Sequence, residues 1–153
     1  MNKEIIVIGG NHHNTLAILR SLGEKKIKSL LIVVSNDSKP YVGYSKYIQD
    51  IKVVKVEEEI SSAMYSLHKS SDKAIVIACA DSISSYLDSN RDKLSKDFIL
   101  PGSKEEGKIT RLMNKNTMMQ VAVESGITVP RSWIVYPAKP EIESVIYPCI
   151  IKP

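Results

Sequence analysis

The stretch Ile5-Ile6-Val7-Ile8-Gly9-Gly10 decides the fold of this chain. An uninterrupted run of β-branched residues is typical of a parallel strand that is buried on both faces. Leucine then recurs every third residue from Leu16 to Leu22, which is a helical spacing. The sequence therefore predicts a buried strand, a glycine turn and a helix in that order.

Strand and helix patterns continue to alternate through residue 100. The later strand patterns are Leu30–Val34, Ile51–Val56, Ala74–Ala78 and Phe98–Leu100. The later helical patterns are Ile60–Leu67 and Asp81–Leu87. Strands that alternate with helices at this spacing indicate βαβ units. We therefore expect residues 1–103 to form an α/β domain with a doubly wound, mainly parallel, Rossmann-like sheet.

The pattern changes after residue 103. Ser103 and Glu106 have the spacing of a capping box for a helix that ends near Met113, and a second helix follows Lys115. Strand patterns at residues 132–135 and 147–151 come next, separated by a proline-rich loop, and no helical pattern follows them. We expect residues 104–153 to be the beginning of a second, α+β domain.

Composition excludes several classes of protein. The chain is 43% hydrophobic and 25% charged, which is typical of a folded globular protein. Its 21 basic and 17 acidic residues give a net charge of +4 without a long basic block, so we do not expect a nucleic-acid partner. Neither a signal peptide nor a membrane-spanning stretch is predicted, and we expect a cytoplasmic protein.

The glycine turn at Gly9, Gly10, Asn11 and His12 is the first candidate site. Ligands of open α/β sheets bind outside the carboxyl ends of strands, which is where this turn lies. The turn differs from the dinucleotide fingerprint, because Asn11 and Asn14 stand where G-x-G-x-x-G requires glycines. It is either a tight turn with a helix cap at Asn14 or a contact for a small molecule.

Two further segments allow both a structural and a functional interpretation. Asp81 follows the strand Ala74–Ala78 and either caps the next helix or faces a substrate amine or hydroxyl across the same cleft. The segment Tyr44-Ser45-Lys46-Tyr47 either contacts a ligand or covers the edge of the sheet, and we favour the second interpretation.

Gly23 is expected to end the first helix.

Lys115 and Lys152 indicate phosphate chemistry. Lys152 ends the apolar run Cys149-Ile150-Ile151, and a lysine at the end of a rigid strand aims a compact positive charge. Lys115 precedes a helix, where free backbone N–H groups favour anions. Together the two lysines suggest half of a site for nucleotide phosphates.

These residues resemble a known family. The resemblance is to the ATP-grasp superfamily of carboxylate–amine ligases, and within it to the branch of biotin carboxylase, carbamoyl-phosphate synthetase and D-aspartate ligase. Its most specific part lies in residues 112–153, namely in Leu112–Asn116, Ala122, Gly126–Pro130 and Tyr147–Pro153. The Gly9-Gly10 loop and the helix pattern after it are similar to the pre-ATP-grasp domain that precedes the ATP-grasp domain.

The resemblance implies roles for individual residues. Lys115 and Lys152 would contact ATP phosphates, although Asn114 replaces the commoner aspartate beside the first lysine. ATP and Mg²⁺ would be the cofactors, and the reaction would pass through an acyl phosphate that an amine attacks. The turn at residues 9–12 and Asp81 would lie on the side of the cleft that binds the carboxylate and amine substrates.

The resemblance also implies that essential parts are missing. The hinge that holds adenine, the metal ligands and an arginine would all follow residue 153, so we expect this polypeptide to be the front part of a ligase and inactive alone. The terminal strand would have no sequential partner and could pair with a second copy of the chain. The alternative is a stand-alone α/β module that binds a small ligand or nucleotide without catalysis.

Overall fold

The computed structural model describes residues 3–133 and 148–150, and it contains a five-stranded sheet in which every pairing is parallel. The strand order is β3-β2-β1-β4-β5. The strands are β1 Ile5–Gly10, β2 Ser29–Val34, β3 Ile48–Val54, β4 Ala74–Ala78 and β5 Phe98–Ile99. The predicted parallel α/β sheet is therefore confirmed, although β3 begins earlier than the apolar run Ile51–Val56 indicated.

Six α-helices connect or follow the strands in the described part of the chain. They are α1 His13–Glu24, α2 Ile60–Leu67, α3 Asp81–Ser89, α4 Arg91–Leu94, α5 Lys108–Met113 and α6 Lys115–Glu124. The connection between β2 and β3 has a short 3₁₀ helix, Tyr41–Tyr44, and a second 3₁₀ turn, Glu57–Glu59, precedes α2.

Apolar residues cover both faces of the sheet. In β1, Ile6 and Ile8 belong to a buried cluster with α2 and α3, whereas Val7 belongs to another with Leu19 of α1 and Val42. Successive strand residues point to opposite faces, so one continuous apolar run supplies both clusters. This explains why the buried strands were recognisable in the sequence.

Helix α1 begins one residue before its expected cap. The N-cap is His12, whose side chain makes no capping hydrogen bond, so the prediction that Asn14 caps this helix is wrong. The His12 N–H donates to the Gly10 carbonyl at 2.9 Å, and this tight turn starts the helix immediately. Asn14 consequently lies in the first turn.

Gly23 does not end α1, which continues through Glu24. Lys26, which has a φ of 62°, is the left-handed residue that follows the helix. Gly23 instead allows a close contact, because a Cβ built there would lie 2.1 Å from ring atoms of Tyr47. The absence of a side chain at residue 23 is therefore needed for packing.

The expected capping box at Ser103 is also absent. The Ser103 hydroxyl accepts a hydrogen bond from the Glu105 N–H, and the Glu106 carboxylate accepts one from the Asp92 N–H. Helix α5 begins later, after Gly107, which has a φ of 76°. Glu106 therefore links the connection to α4 instead of capping its own helix.

The chain divides into two compact units, residues 1–114 and residues 115–153. The first unit extends beyond the boundary expected at residue 103, because Asp88 of α3 accepts a hydrogen bond from the Thr110 N–H of α5 at 2.9 Å. Of the strands predicted at residues 132–135 and 147–151, the described residues 132–133 and 148–150 are not in a strand, and the others lie outside the described residues. An ATP-grasp domain over residues 104–153 stays a prediction.

Within residues 3–133 and 148–150, no helix has both the length and the apolar character needed to cross a lipid bilayer.

Candidate functional site

The sheet order identifies where a ligand would bind. From β1 the chain moves outward through β2 to β3, and it then returns to the other side of β1 to build β4 and β5. The order therefore reverses between β1 and β4, and a crevice forms at such a point outside the carboxyl ends of the strands. The loops that follow these two strands contain residues 11–12 and 79–80.

A groove of about 430 Å³ lies at this position, and we call it the switch-point groove. Its walls come from the beginning of α1 and from the segment that joins β4 to α3. The lining residues are Asn14, Ala17, Ile18, Ala78, Cys79, Ala80, Asp81 and Ser84. Of the candidate substrate residues, Asp81 lines the groove, whereas Gly9, Gly10, Asn11 and His12 do not.

Thr15 and Cys79 leave no room for a side chain at Gly9. A Cβ at Gly9 would lie 2.1 Å from Thr15 Oγ1 and 3.0 Å from Cys79 Cβ, which is too close for either contact. The sequence reasoning missed Thr15, which is completely buried and donates its hydroxyl hydrogen to the Gly10 carbonyl at 2.8 Å. A threonine in the first turn of a helix after a glycine loop is the signal that could have found it.

Asn11 and His12 make contacts within the protein. Asn11 Oδ1 accepts a hydrogen bond from the Val42 N–H at 3.3 Å, which ties the glycine loop to the 3₁₀ helix. The His12 ring folds over Gly10, since a Cβ there would lie 2.8 Å from a carbon of the ring. His12 Nδ1 is buried and has no hydrogen-bond partner among the described residues. These two side chains shape the turn from which α1 starts.

Cys79 lies beside the same turn. Burial raises the pKa of its thiol, and a hydrogen bond with Thr15 partly opposes this by lowering it. Because only the thiolate is a strong nucleophile, a raised pKa makes Cys79 less reactive than an ordinary cysteine. Cys79 therefore serves as a wall of the groove, because the raising effect of burial on its pKa outweighs the lowering effect of Thr15.

Asp81 is the exposed carboxylate of the groove. It is the first residue of α3, whose N-cap is Ala80, and its side chain makes no capping hydrogen bond. The expected role as a helix cap is therefore wrong. A carboxylate in the first turn interacts favourably with the positive end of the helix dipole. Among the described residues no hydrogen-bond or ion-pair partner occupies this carboxylate, so it is available to a ligand.

The structure describes one of the two phosphate candidates. Lys115 is exposed and begins the ten-residue helix α6. Lys152 lies outside the described residues, so the convergence of the two amino groups stays a prediction. In the described ranges, no group of three or more His, Cys, Asp or Glu side chains could hold a metal ion.

Comparison with models of known protein families gave no match. Comparison with curated protein sequences also gave none.

Proposed function

We propose that this chain is the N-terminal part of an ATP-dependent carboxylate–amine ligase that acts through an acyl phosphate. The observation that carries the proposal is the switch-point groove of a β3-β2-β1-β4-β5 parallel sheet, followed by a separate unit that begins at Lys115. Because one fold hosts many functions, it is the groove and the lysines that support this proposal.

ATP supplies the phosphoryl group that activates the carboxylate, and the lysines are assigned to its phosphates. Lys115 fits this role because it is exposed at the beginning of a helix, where backbone N–H groups also favour anions. Lys152 is assigned the same role from the sequence. No Mg²⁺ ligand is assigned to any described residue. Most of the rate enhancement would come from cations that neutralise the transferring phosphoryl group.

The first unit is assigned to the substrate side of the reaction. Asp81 holds a substrate ammonium or hydroxyl group in the switch-point groove, because its carboxylate is exposed there. Gly9 and Gly10 allow the chain to turn closely against Thr15 and the His12 ring. Asn11, through its hydrogen bond with Val42, and the His12 ring, which lies over Gly10, hold this turn in position.

The experiment that tests this function is an activity assay on the protein encoded by the entire reading frame. The reading frame is sequenced beyond the codon for Pro153, and its product is assayed for ATP-dependent phosphate release with panels of carboxylates and amines. We expect release that depends on both an acid and an amine and that Lys115→Ala reduces by about tenfold or more. Lys104→Ala, which changes another exposed lysine, is the control and should retain the activity.

A stand-alone binding module is the second candidate, and one observation favours it. The switch-point groove lies entirely within residues 14–84, so the first unit contains every residue that lines it. Binding of a small ligand in this groove, together with a reading frame that ends at Pro153, would support the module and contradict the ligase. The 153 residues alone should bind ATP weakly, and submicromolar affinity in calorimetry would contradict the proposal that they are an incomplete ligase.

Two further properties stay predictions. We expect a cytoplasmic protein, and we expect self-association through residues 147–151, which the sequence predicts to be a strand. Light scattering at high protein concentration tests the second expectation, and a monomer at every concentration would contradict it.

A further inference from the structure

A second groove, of about 630 Å³, lies between another stripe of α1 and the connection from β2 to β3. We call it the tyrosine groove. Helix α1 contributes Leu16, Arg20 and Glu24, and the connection contributes Tyr41, Tyr44 and the segment Ser45-Lys46-Tyr47. The volume is within the range of about 300–1,000 Å³ that is usual for small-molecule sites. None of its lining residues belongs to the switch-point groove.

Exposed aromatic rings are the first indication of a ligand. Tyr44 is 76% exposed and Tyr41 is 48% exposed, although tyrosine has a large apolar surface that usually packs against protein. The expectation that this segment covers the sheet edge therefore fails for Tyr44. Two exposed rings beside one groove offer flat surfaces on which a planar ligand can stack.

The charges around the groove favour an anion. Arg20 and Lys46 both line it, and neither forms an ion pair with any described residue, whereas Glu24 is the single acidic residue among the lining set. With Glu24, the lining residues carry a net charge of +1, and charge complementarity favours an anionic occupant.

The base of the groove is held in place by specific contacts. Lys46 Nζ lies 5.1 Å from the centre of the Tyr47 ring, a cation–π distance that holds the cation beside the groove. The Tyr47 ring packs where a side chain on Gly23 would clash. The Asn11–Val42 hydrogen bond anchors the 3₁₀ helix that presents Tyr41 and Tyr44. A ligand would therefore meet a largely preformed surface.

We propose that the tyrosine groove binds a small molecule that combines a planar aromatic ring with an anionic group. The ring stacks on Tyr44 and Tyr41, and Arg20 and Lys46 contact the anion. A nucleoside monophosphate and an aromatic carboxylate share this chemistry. The site does not depend on the proposed ligase activity, because Lys115 and Asp81 contribute nothing to it.

The experiment measures binding of AMP to the 153-residue chain by calorimetry. Adenosine supplies the ring without the charge, ribose 5-phosphate supplies the charge without the ring, and indole-3-acetate tests the aromatic carboxylate. We expect AMP or indole-3-acetate to bind at least about tenfold more tightly than adenosine and ribose 5-phosphate, since stacking and charge both contribute. Which of the two binds identifies the class of ligand.

Variants then locate the site. Tyr44→Ala should weaken binding by about tenfold because it removes a stacking surface, whereas Tyr44→Phe should retain it. Arg20→Gln and Lys46→Gln should each weaken binding by about threefold, as expected for exposed charges. The controls are Tyr65→Phe, which changes a tyrosine of α2 outside the groove and keeps the ring contact with Phe98, and Lys96→Gln, which removes an exposed lysine after α4.

Each possible binding result either supports or overturns the proposed site. Loss of affinity in the groove variants, with none in the controls, supports the proposal. Wild-type affinity in Tyr44→Ala, or equal affinity for AMP, adenosine and ribose 5-phosphate, overturns it. Failure of both AMP and indole-3-acetate to bind at millimolar concentration also overturns it. A Lys115→Ala variant should bind as the wild type does, which separates this result from that of the ligase proposal.

Discussion

The two faces of the sheet differ in how much apolar surface they bury. The face covered by α2, α3 and α4 has a cluster of fifteen buried residues, whereas the face covered by α1 has five. On the α1 face, the connection between β2 and β3 supplies a four-residue 3₁₀ helix in place of a longer helix. Both grooves adjoin α1. The comparison indicates that buried apolar area is concentrated on the face of α2, α3 and α4, whereas the tyrosine groove lies beside α1 and the switch-point groove lies where α1 and α3 begin.

Matched leucine substitutions on the two faces should have the largest effects. Leu87→Ala on the α3 face and Leu19→Ala on the α1 face remove the same side chain from positions that are about equally buried. We expect each to lower the free energy of unfolding by about 2–5 kcal/mol, with the larger loss at Leu87. The reason is that a cavity within the larger cluster has fewer ways to collapse.

Urea denaturation measures both variants. If Leu19→Ala lowers the free energy of unfolding as much as Leu87→Ala does, or more, stability is not concentrated on the α3 face.

A methyl group at Gly9 should have the next largest effect. Gly9→Ala places a Cβ against Thr15 Oγ1 and Cys79 Cβ, and we expect it to destabilise the protein by about 1–3 kcal/mol through overpacking. The double variant with Thr15→Ala removes the closer contact. The double-mutant cycle should therefore show that the cost of Gly9→Ala falls when Thr15 is absent, and strict additivity would mean that the two residues do not touch.

Removal of the Thr15 hydroxyl should cost less. Thr15→Val keeps the shape of the side chain but deletes the donor to the Gly10 carbonyl, and we expect a loss of about 1 kcal/mol. Thr15→Ser keeps the hydroxyl and loses a methyl group, so it serves as the comparison. Thermal unfolding of both variants checks the hydrogen bond, which is absent if Thr15→Val is as stable as the wild type.

The smallest expected effect is the difference between the folded and the unfolded chain in the pH at which Cys79 reacts. Burial raises the pKa of its thiol, so its alkylation by iodoacetamide should require a higher pH in the folded protein than in urea. The same shift stabilises the fold below the ordinary thiol pKa, and this stabilisation is lost as the pH rises past that value. Cys149→Ser provides the background, since Cys149 is a second free thiol. Equal pH profiles in the folded and unfolded chain would show that Cys79 is not desolvated.

The strands were predictable because burial on both faces leaves a continuous apolar run. The run Ala74–Ala78 matches β4 residue for residue. The ends of the helices were not predictable, because they depend on close contacts between distant residues. Gly23 is one example, since the Tyr47 ring and not a turn requires it.

The candidate site was predictable in its place but not in its composition. Parallel strands bring residues 9–12 and 79–81 to one edge, and the sequence alone indicates this. The walls of the groove, however, include Asn14 of α1 and Ser84 of α3, which line one groove only because both helices begin beside the carboxyl ends of β1 and β4. The sequence named Tyr44–Tyr47 as a possible ligand contact but not Arg20, which lines the same groove only because α1 packs against the 3₁₀ helix.

Mapping of backbone amide shifts by nuclear magnetic resonance shows whether substrates bind in the switch-point groove and ATP binds at Lys115. The ¹⁵N-labelled chain is titrated with amino acids, simple carboxylates and MgATP, each at millimolar concentration. We expect a substrate acid or amine to shift the amides of Cys79, Ala80 and Asp81, and we expect MgATP to shift the amide of Lys115. Ligands that bind without affecting these amides, or a panel in which no compound produces a shift, would contradict this expectation.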